Sequence, residues 1–273
     1  MKNNILAKTF PTALAAGLFI MIAPQSGAQA TPGIYTAGHG DIGVAFEDGE
    51  LEPHWHLGSA AVVNGQELGG DGGEFAPDEI IASGSGTLVV SGANASKLNS
   101  LLGVSLNDTI YIFGSDFELP NLGWASEELD KPEWSGGVIN VTLSSVSGPG
   151  YFALFQIDEA DSTINTARFS SYDAGATGAN NVLAVPAGGH VHYLFGFSEA
   201  GSYELSLTFS GTHTTAGFVE STATFGMVVG ESANGATPVP EPATCVLLAG
   251  ATGLLFALNQ RMRLHLRLRR KTG

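Results

Sequence analysis

Between Gly38 and Leu57 the chain alternates with period two on both sides of Asp48-Gly49, and no other stretch constrains the fold as tightly. Ile42, Val44 and Phe46 alternate with Asp41, Gly43 and Ala45; after the turn Leu51, Pro53, Trp55 and Leu57 alternate with Glu52, His54 and His56. Asp-Gly between two such runs predicts a hairpin with a two-residue turn. Closing the hairpin there pairs Glu47 with Glu50, Ala45 with Glu52, Gly43 with His54 and Asp41 with His56. Directly opposed residues share a face, so one face is apolar and the other carries His39, Asp41, His54 and His56 together. Pro53, opposite Val44, falls at a non-hydrogen-bonded position where its missing N–H costs no ladder bond.

Further strand signals follow at Thr87–Val90, Thr109–Phe113, Val138–Val146, Tyr151–Ile157, Val191–Phe197, Tyr203–Phe209 and Ala223–Val229, each rich in Val, Ile, Thr or aromatics and bounded by Gly, Ser, Asn or Pro. The spacing predicts an all-β fold, a β-sandwich of short antiparallel strands. Ala95–Leu102 and Ala125–Leu129 read as no more than a helical turn or two. Gly188 to Phe209 reads as a second hairpin. Its apolar face holds Val191, Tyr193, Phe195 and Phe197, then Tyr203, Leu205, Leu207 and Phe209, so His190 and His192 point the other way.

Two His-x-His pairs on strand faces have a chemical use. Alternate residues of a strand lie about 6.5–7 Å apart at Cα, close enough for both imidazoles to reach one ion. Zn²⁺ takes three or four such nitrogen and oxygen donors, with His39 and Asp41 completing or orienting the set. The predicted ligands are therefore His39, Asp41, His54, His56, His190 and His192, with zinc favoured; Cu²⁺, Ni²⁺ or Mn²⁺ accept the same donors. The plainer alternative is a set of solvated histidines on polar strand faces.

The chain ends set the compartment. Met1–Ala30 has Lys2 and Lys8, an apolar stretch from Thr12 to Ala23 and the small-x-small sequence Ala28-Gln29-Ala30, a cleaved secretion signal with its signal helix. At the other end Val239-Pro240-Glu241-Pro242 leads into Ala243–Leu258, a short apolar stretch that reads as a transmembrane helix, and then into Arg261, Arg263, Arg267, Arg269, Arg270 and Lys271. The clustered basic residues hold the tail in the cytoplasm and leave everything upstream outside. Three regions follow: 1–30 the signal peptide, 31–237 an all-β extracellular domain, and 238–273 a sorting signal.

The tail resembles the PEP-CTERM signal, in which a Pro-Glu-Pro motif, a membrane helix and an Arg-rich end direct an exported bacterial protein to an exosortase-type processing enzyme. That resemblance implies an inner-membrane-anchored precursor that moves on to the cell surface or extracellular matrix. His39-Gly40-Asp41-Ile42-Gly43-Val44-Ala45-Phe46, with Pro186-Ala187-Gly188-Gly189-His190-Val191-His192 and Phe197, resembles the choice-of-anchor M type of surface domain. It is also similar to wall-anchored repeats that accompany metal-type ABC transporters. The pattern usually has Trp where this chain has Phe195. The resemblance implies surface display and a metal-transport system as partner.

Composition narrows the function classes. Residues 31–237 hold 25 acidic residues against Lys97, Lys131 and Arg168, a net charge of −22, which excludes nucleic acid as a partner. The one cysteine, Cys245, lies in the apolar tail segment, so the extracellular region has neither a disulfide nor a cysteine metal site. A match to the cupin metal motifs fails because the glutamate after the first His-x-His is too distant. No Gly-x-Ser-x-Gly elbow opens a helix and no phosphate-binding loop is present. Glu127-Glu128 and Asp158-Glu159 read as solvated surface rather than glycosidase carboxylates. The expectation is a non-enzyme. Trp124 and Trp134 flank an acidic loop and offer a sugar-stacking alternative, which with an exopolysaccharide partner gives a structural or adhesive matrix protein without metal.

Overall fold

The computed structural model describes residues 31–114, 118–158 and 160–230. The signal helix, the transmembrane helix and the Val239–Pro242 motif lie outside these residues, and no helix among the described residues is long and apolar enough to cross a membrane. The first half holds β1 (Gly33–Glu47), β2 (Glu50–Leu57), β3 (Val62–Val63), β4 (Gln66–Glu67), β5 (Gly73–Phe75), β6 (Ile80–Ser83), β7 (Gly86–Val89) and the helix α1 (Gly92–Leu102). There follow β8 (Thr109–Phe113), β9 (Pro120–Ala125), β10 (Val138–Ser147), β11 (Phe152–Ile157), β12 (Ile164–Ser170), β13 (Val182–Pro186), β14 (His190–His192), β15 (Leu194–Phe197), β16 (Gly201–His213) and β17 (Gly217–Val229). The all-β class holds. Strands β3, β4, β5, β6, β9, β12 and β13 carried no strand reading in the sequence.

The strands form two sheets. The larger runs β13, β10, β16, β17, β6, β1, β2, β5, with β9 on β1 and β14 on β9, and the smaller runs β12, β11, β15, β8, β7. They meet over one core, where Trp124 of the large sheet stacks on Phe195 of the small one at 5.4 Å and Phe197 meets Tyr203 at 4.7 Å. The small sheet is apolar on both faces. Phe152 and Leu154 enter the shared core, whereas Ala153 and Phe155 face outward, as strand alternation requires.

Helix α1 covers that outer face through Leu98, Leu101 and Leu102, all buried against Ile110, Ile112 and Phe155. Their helical spacing aims them at one side, and Gly103, at φ 68°, ends the helix in the left-handed conformation glycine favours. The stretch read as a turn or two is thus an 11-residue helix. Ala125–Leu129 is not helical: β9 ends at Ala125, and the chain then turns.

Two further expectations are corrected. The strands are not all antiparallel, since β1 pairs parallel with β6 and with β9, and β17 with β6. Nor does Gly188–Phe209 form a hairpin. β14 pairs with β9, β15 with β11 and β8, and β16 with β10 and β17. The chain changes sheet at Tyr193 and again at 198–200, so the apolar sides of β15 and β16 meet across the core instead of side by side.

The site depends on a bend in β1. Residues Gly33–Tyr35 pair with β6, whereas Gly38–Ile42 pair with β9 and Gly40–Glu47 with β2. Gly38 makes the change at φ 88°, where a side chain would be strained, and the Tyr35 hydroxyl donates to its carbonyl at 2.6 Å.

Candidate functional site

The predicted hairpin register is the observed one: Asp41 faces His56, Gly43 faces His54, Ala45 faces Glu52 and Glu47 faces Glu50. The platform around it runs β5, β2, β1, β9, β14. One row across its five strands reads Glu74, His56, Asp41, Gly123, His192. The next reads Phe75, Trp55, Ile42, Trp124, Val191 and belongs to the core side. A further polar row holds His54 opposite Gly43 and His190 opposite Ala125. Period two along each strand therefore becomes polar and apolar stripes across the sheet. Glycine at positions 43 and 123 leaves the middle of the polar face without side chains, and larger neighbours lean over those gaps.

The six predicted residues do not converge on one point. His39, Asp41 and His192 offer donor atoms that all lie within 4.8 Å of one another, and a separate group, His54, His56, Glu74 and Glu128, does the same. His56 and His192 stand three strand spacings apart, about 14 Å at Cα. Asp41 sides with His192. Its Oδ2 is 3.0 Å from His39 Nε2, and its Oδ1 leans over Gly123, where any Cβ would overlap it. His190 stands at the rim, its ring 5.3 Å from that of His192, with Nδ1 bonded to Glu127 Oε1 at 2.8 Å.

In the first group Asp41 is buried, and Oδ1 has no hydrogen-bond partner. Asn121, in register with His39, has an equally buried and unpartnered Oδ1. Unsatisfied buried acceptors are costly and infrequent. The two histidines are tuned in opposite directions. The hydrogen bond that His39 donates to Asp41, with the negative charges of Asp41 and Glu127, lifts His39 above its ordinary value against the effect of burial. Burial lowers His192, helped by the charges of His39 and His190 and opposed by Asp41. The proton is therefore held more firmly on His39 than on His192.

In the second group His54 is buried and its Nδ1 lies 3.0 Å from the Glu52 carbonyl. A carbonyl only accepts, so Nδ1 carries the proton and Nε2 is the free donor atom. Glu128 comes from the turn after β9 and Glu74 from the edge strand β5. Neither was a sequence candidate. Glu128 sits in an acidic pair that reads as solvated surface, and nothing local ties Glu74 to His56 before β5 is known to pair with β2. His213, the sixth histidine among the described residues, stays apart: its Nδ1 accepts from Ala216 N at 3.2 Å and its ring packs on Phe46 at 4.5 Å. The sugar-stacking expectation is overturned, since Trp124 is 0% and Trp134 4% exposed, leaving no indole face for a ligand.

Comparison with known proteins places one segment. Residues 238–263 match the PEP-CTERM protein-sorting motif, the signal expected from Val239, Pro240, Glu241 and Pro242. The match supports processing by an exosortase and implies an exported protein with a membrane-anchored precursor. No curated protein and no solved structure matches the chain.

Proposed function

We propose that this exosortase-sorted chain is a non-catalytic surface protein that captures a divalent transition metal, zinc in the first instance, through His39, Asp41 and His192. The observation that carries the reading is Asp41: a buried carboxylate whose Oδ1 has no hydrogen-bond partner, close to two imidazoles. An ion supplies the partner that the protein lacks. Two nitrogens and one oxygen suit Zn²⁺, and three protein ligands leave a position open for exchange. Around it the extracellular region is strongly acidic, which raises the local concentration of cations. A captured ion that exchanges readily suits hand-over to a metal-transport system, the partner class this reading favours.

Calorimetry of the full chain in detergent with Zn²⁺ at neutral pH tests the proposal. Uptake that falls by one Zn²⁺ in Asp41→Asn and in His192→Asn is expected. No uptake in the wild type, or uptake untouched by both changes, sinks it and leaves the adhesive matrix protein without metal.

A further inference from the structure

We infer that His54, His56, Glu74 and Glu128 form a second, independent metal site, a closed one that clasps the edge strand and the turn after β9 onto β2. The inference rests on the reading that this sheet face takes up a divalent transition metal, but its residues are separate from those of the first group. Its donor set is four side chains from three segments, with all donor atoms within 4.8 Å of one another.

Geometry at His54 points to a cation. Nε2 is buried and 3.0 Å from Glu128 Oε1, yet it makes no hydrogen bond. With the Nδ1 proton directed at the Glu52 carbonyl, the Nε2 lone pair faces a carboxylate oxygen, and two such groups repel unless something positive lies between them. Two ligands of a tetrahedral zinc ion, each about 2.0–2.2 Å from it, sit about 3.4 Å apart without pointing at each other. That is close to the spacing seen. Gly43 keeps the space under Nε2 clear, because a Cβ there would come to 2.7 Å. The carbonyl contact that orients His54 is the outer-shell support metal-bound imidazoles ordinarily have.

The ligand count separates the two sites by role. Three protein donors at His39, Asp41 and His192 leave a tetrahedral ion open, whereas four at the second group saturate it, the arrangement of structural zinc. β5 needs such a clasp: it is three residues long and, among the described residues, pairs with β2 alone.

The test is zinc content and thermal unfolding of the full chain in detergent, for the wild type, Glu74→Gln, Glu128→Gln, His56→Asn and His192→Asn. The expected result is about two Zn²⁺ in the wild type and about one in every variant, with His192→Asn keeping the zinc-dependent rise in Tm that the other three lose. Zinc content unchanged in Glu74→Gln, Glu128→Gln and His56→Asn overturns the second site, and a proton shared by His54 and Glu128 gives that result. Zinc content unchanged in His192→Asn overturns the first site alone, and no zinc in the wild type overturns both. Glu74 and Glu128 lie outside the core, so their glutamine variants keep the test open if His56→Asn fails to fold.

Discussion

Gly123 lies directly beside Asp41 on the neighbouring parallel strand, and the Asp41 carboxylate occupies the space that a side chain at Gly123 would fill. A Cβ there would also stand 3.1 Å from His192 Cε1. Gly123→Ala is therefore expected to push Asp41 and His192 apart and abolish zinc uptake at the first group, while destabilising the fold by about 1–3 kcal/mol as an overpacked site. Gly43→Ala is expected to displace His54 instead and spare the first group. Zinc titration of both variants, with denaturant unfolding, checks the pair; first-group uptake surviving in Gly123→Ala refutes the placement of Asp41.

Glu127 and Glu128 adjoin in the chain but reach histidines of different groups, His190 at 2.8 Å and His54 at 3.0 Å. Their removal is expected to have unlike effects. Glu127→Gln loosens His190, a rim residue, and weakens zinc binding at the first group by about tenfold, the low end of outer-shell changes. Glu128→Gln removes a ligand and is expected to cost the second group far more. Parallel binding isotherms for the two variants decide the matter, and equal effects on both groups contradict the division.

The metal-free protein is expected to respond to pH through His39 and His192 in opposite senses. His39 is raised above 6.5 by Asp41, so its stabilising interaction is complete below 6.5 and is lost as pH rises through the raised value. His192 is lowered from 6.5, so the unfolded chain takes up its proton more readily and stability falls as pH drops below 6.5. His39→Asn is expected to destabilise more at about pH 6 than at about pH 9, and His192→Asn to improve stability on the acid side. Urea unfolding of both variants in chelator reads this out; a cost for His39→Asn that does not change with pH contradicts the His39–Asp41 pairing.

Much of the platform was legible because its signals are local. Asp48-Gly49 and flanking alternation set the register of β1 and β2, and with it the face shared by His39, Asp41, His54 and His56. What stayed hidden was the long-range pairing. β9 reads Pro-Asn-Leu-Gly-Trp-Ala, with no β-branched residue, although all six residues are buried, and nothing near it announces a parallel partner 82 residues upstream. Without β9, the strand that separates β1 from β14 is missing, and two ligand groups merge into one. Tyr203 continues the apolar alternation of Phe197 equally well across a hairpin or across a core, so periodicity alone does not distinguish a turn within one sheet from a crossing between two.

The sorting motif makes a prediction independent of metal. A Pro-Glu-Pro signal before an apolar segment and basic residues is expected to put the processing point outside the membrane and the basic tail in the cytoplasm. Replacing Pro240, Glu241 and Pro242 by Ala leaves the apolar segment and the basic residues intact, so export and membrane insertion are expected to continue while exosortase processing stops. The chain should then collect in the membrane fraction with Arg261 to Lys271 still attached, and its zinc content should equal that of the wild-type full chain. Fractionation with mass measurement of the mature form checks this. Unchanged processing of the triple variant shows that the motif is not what the exosortase reads.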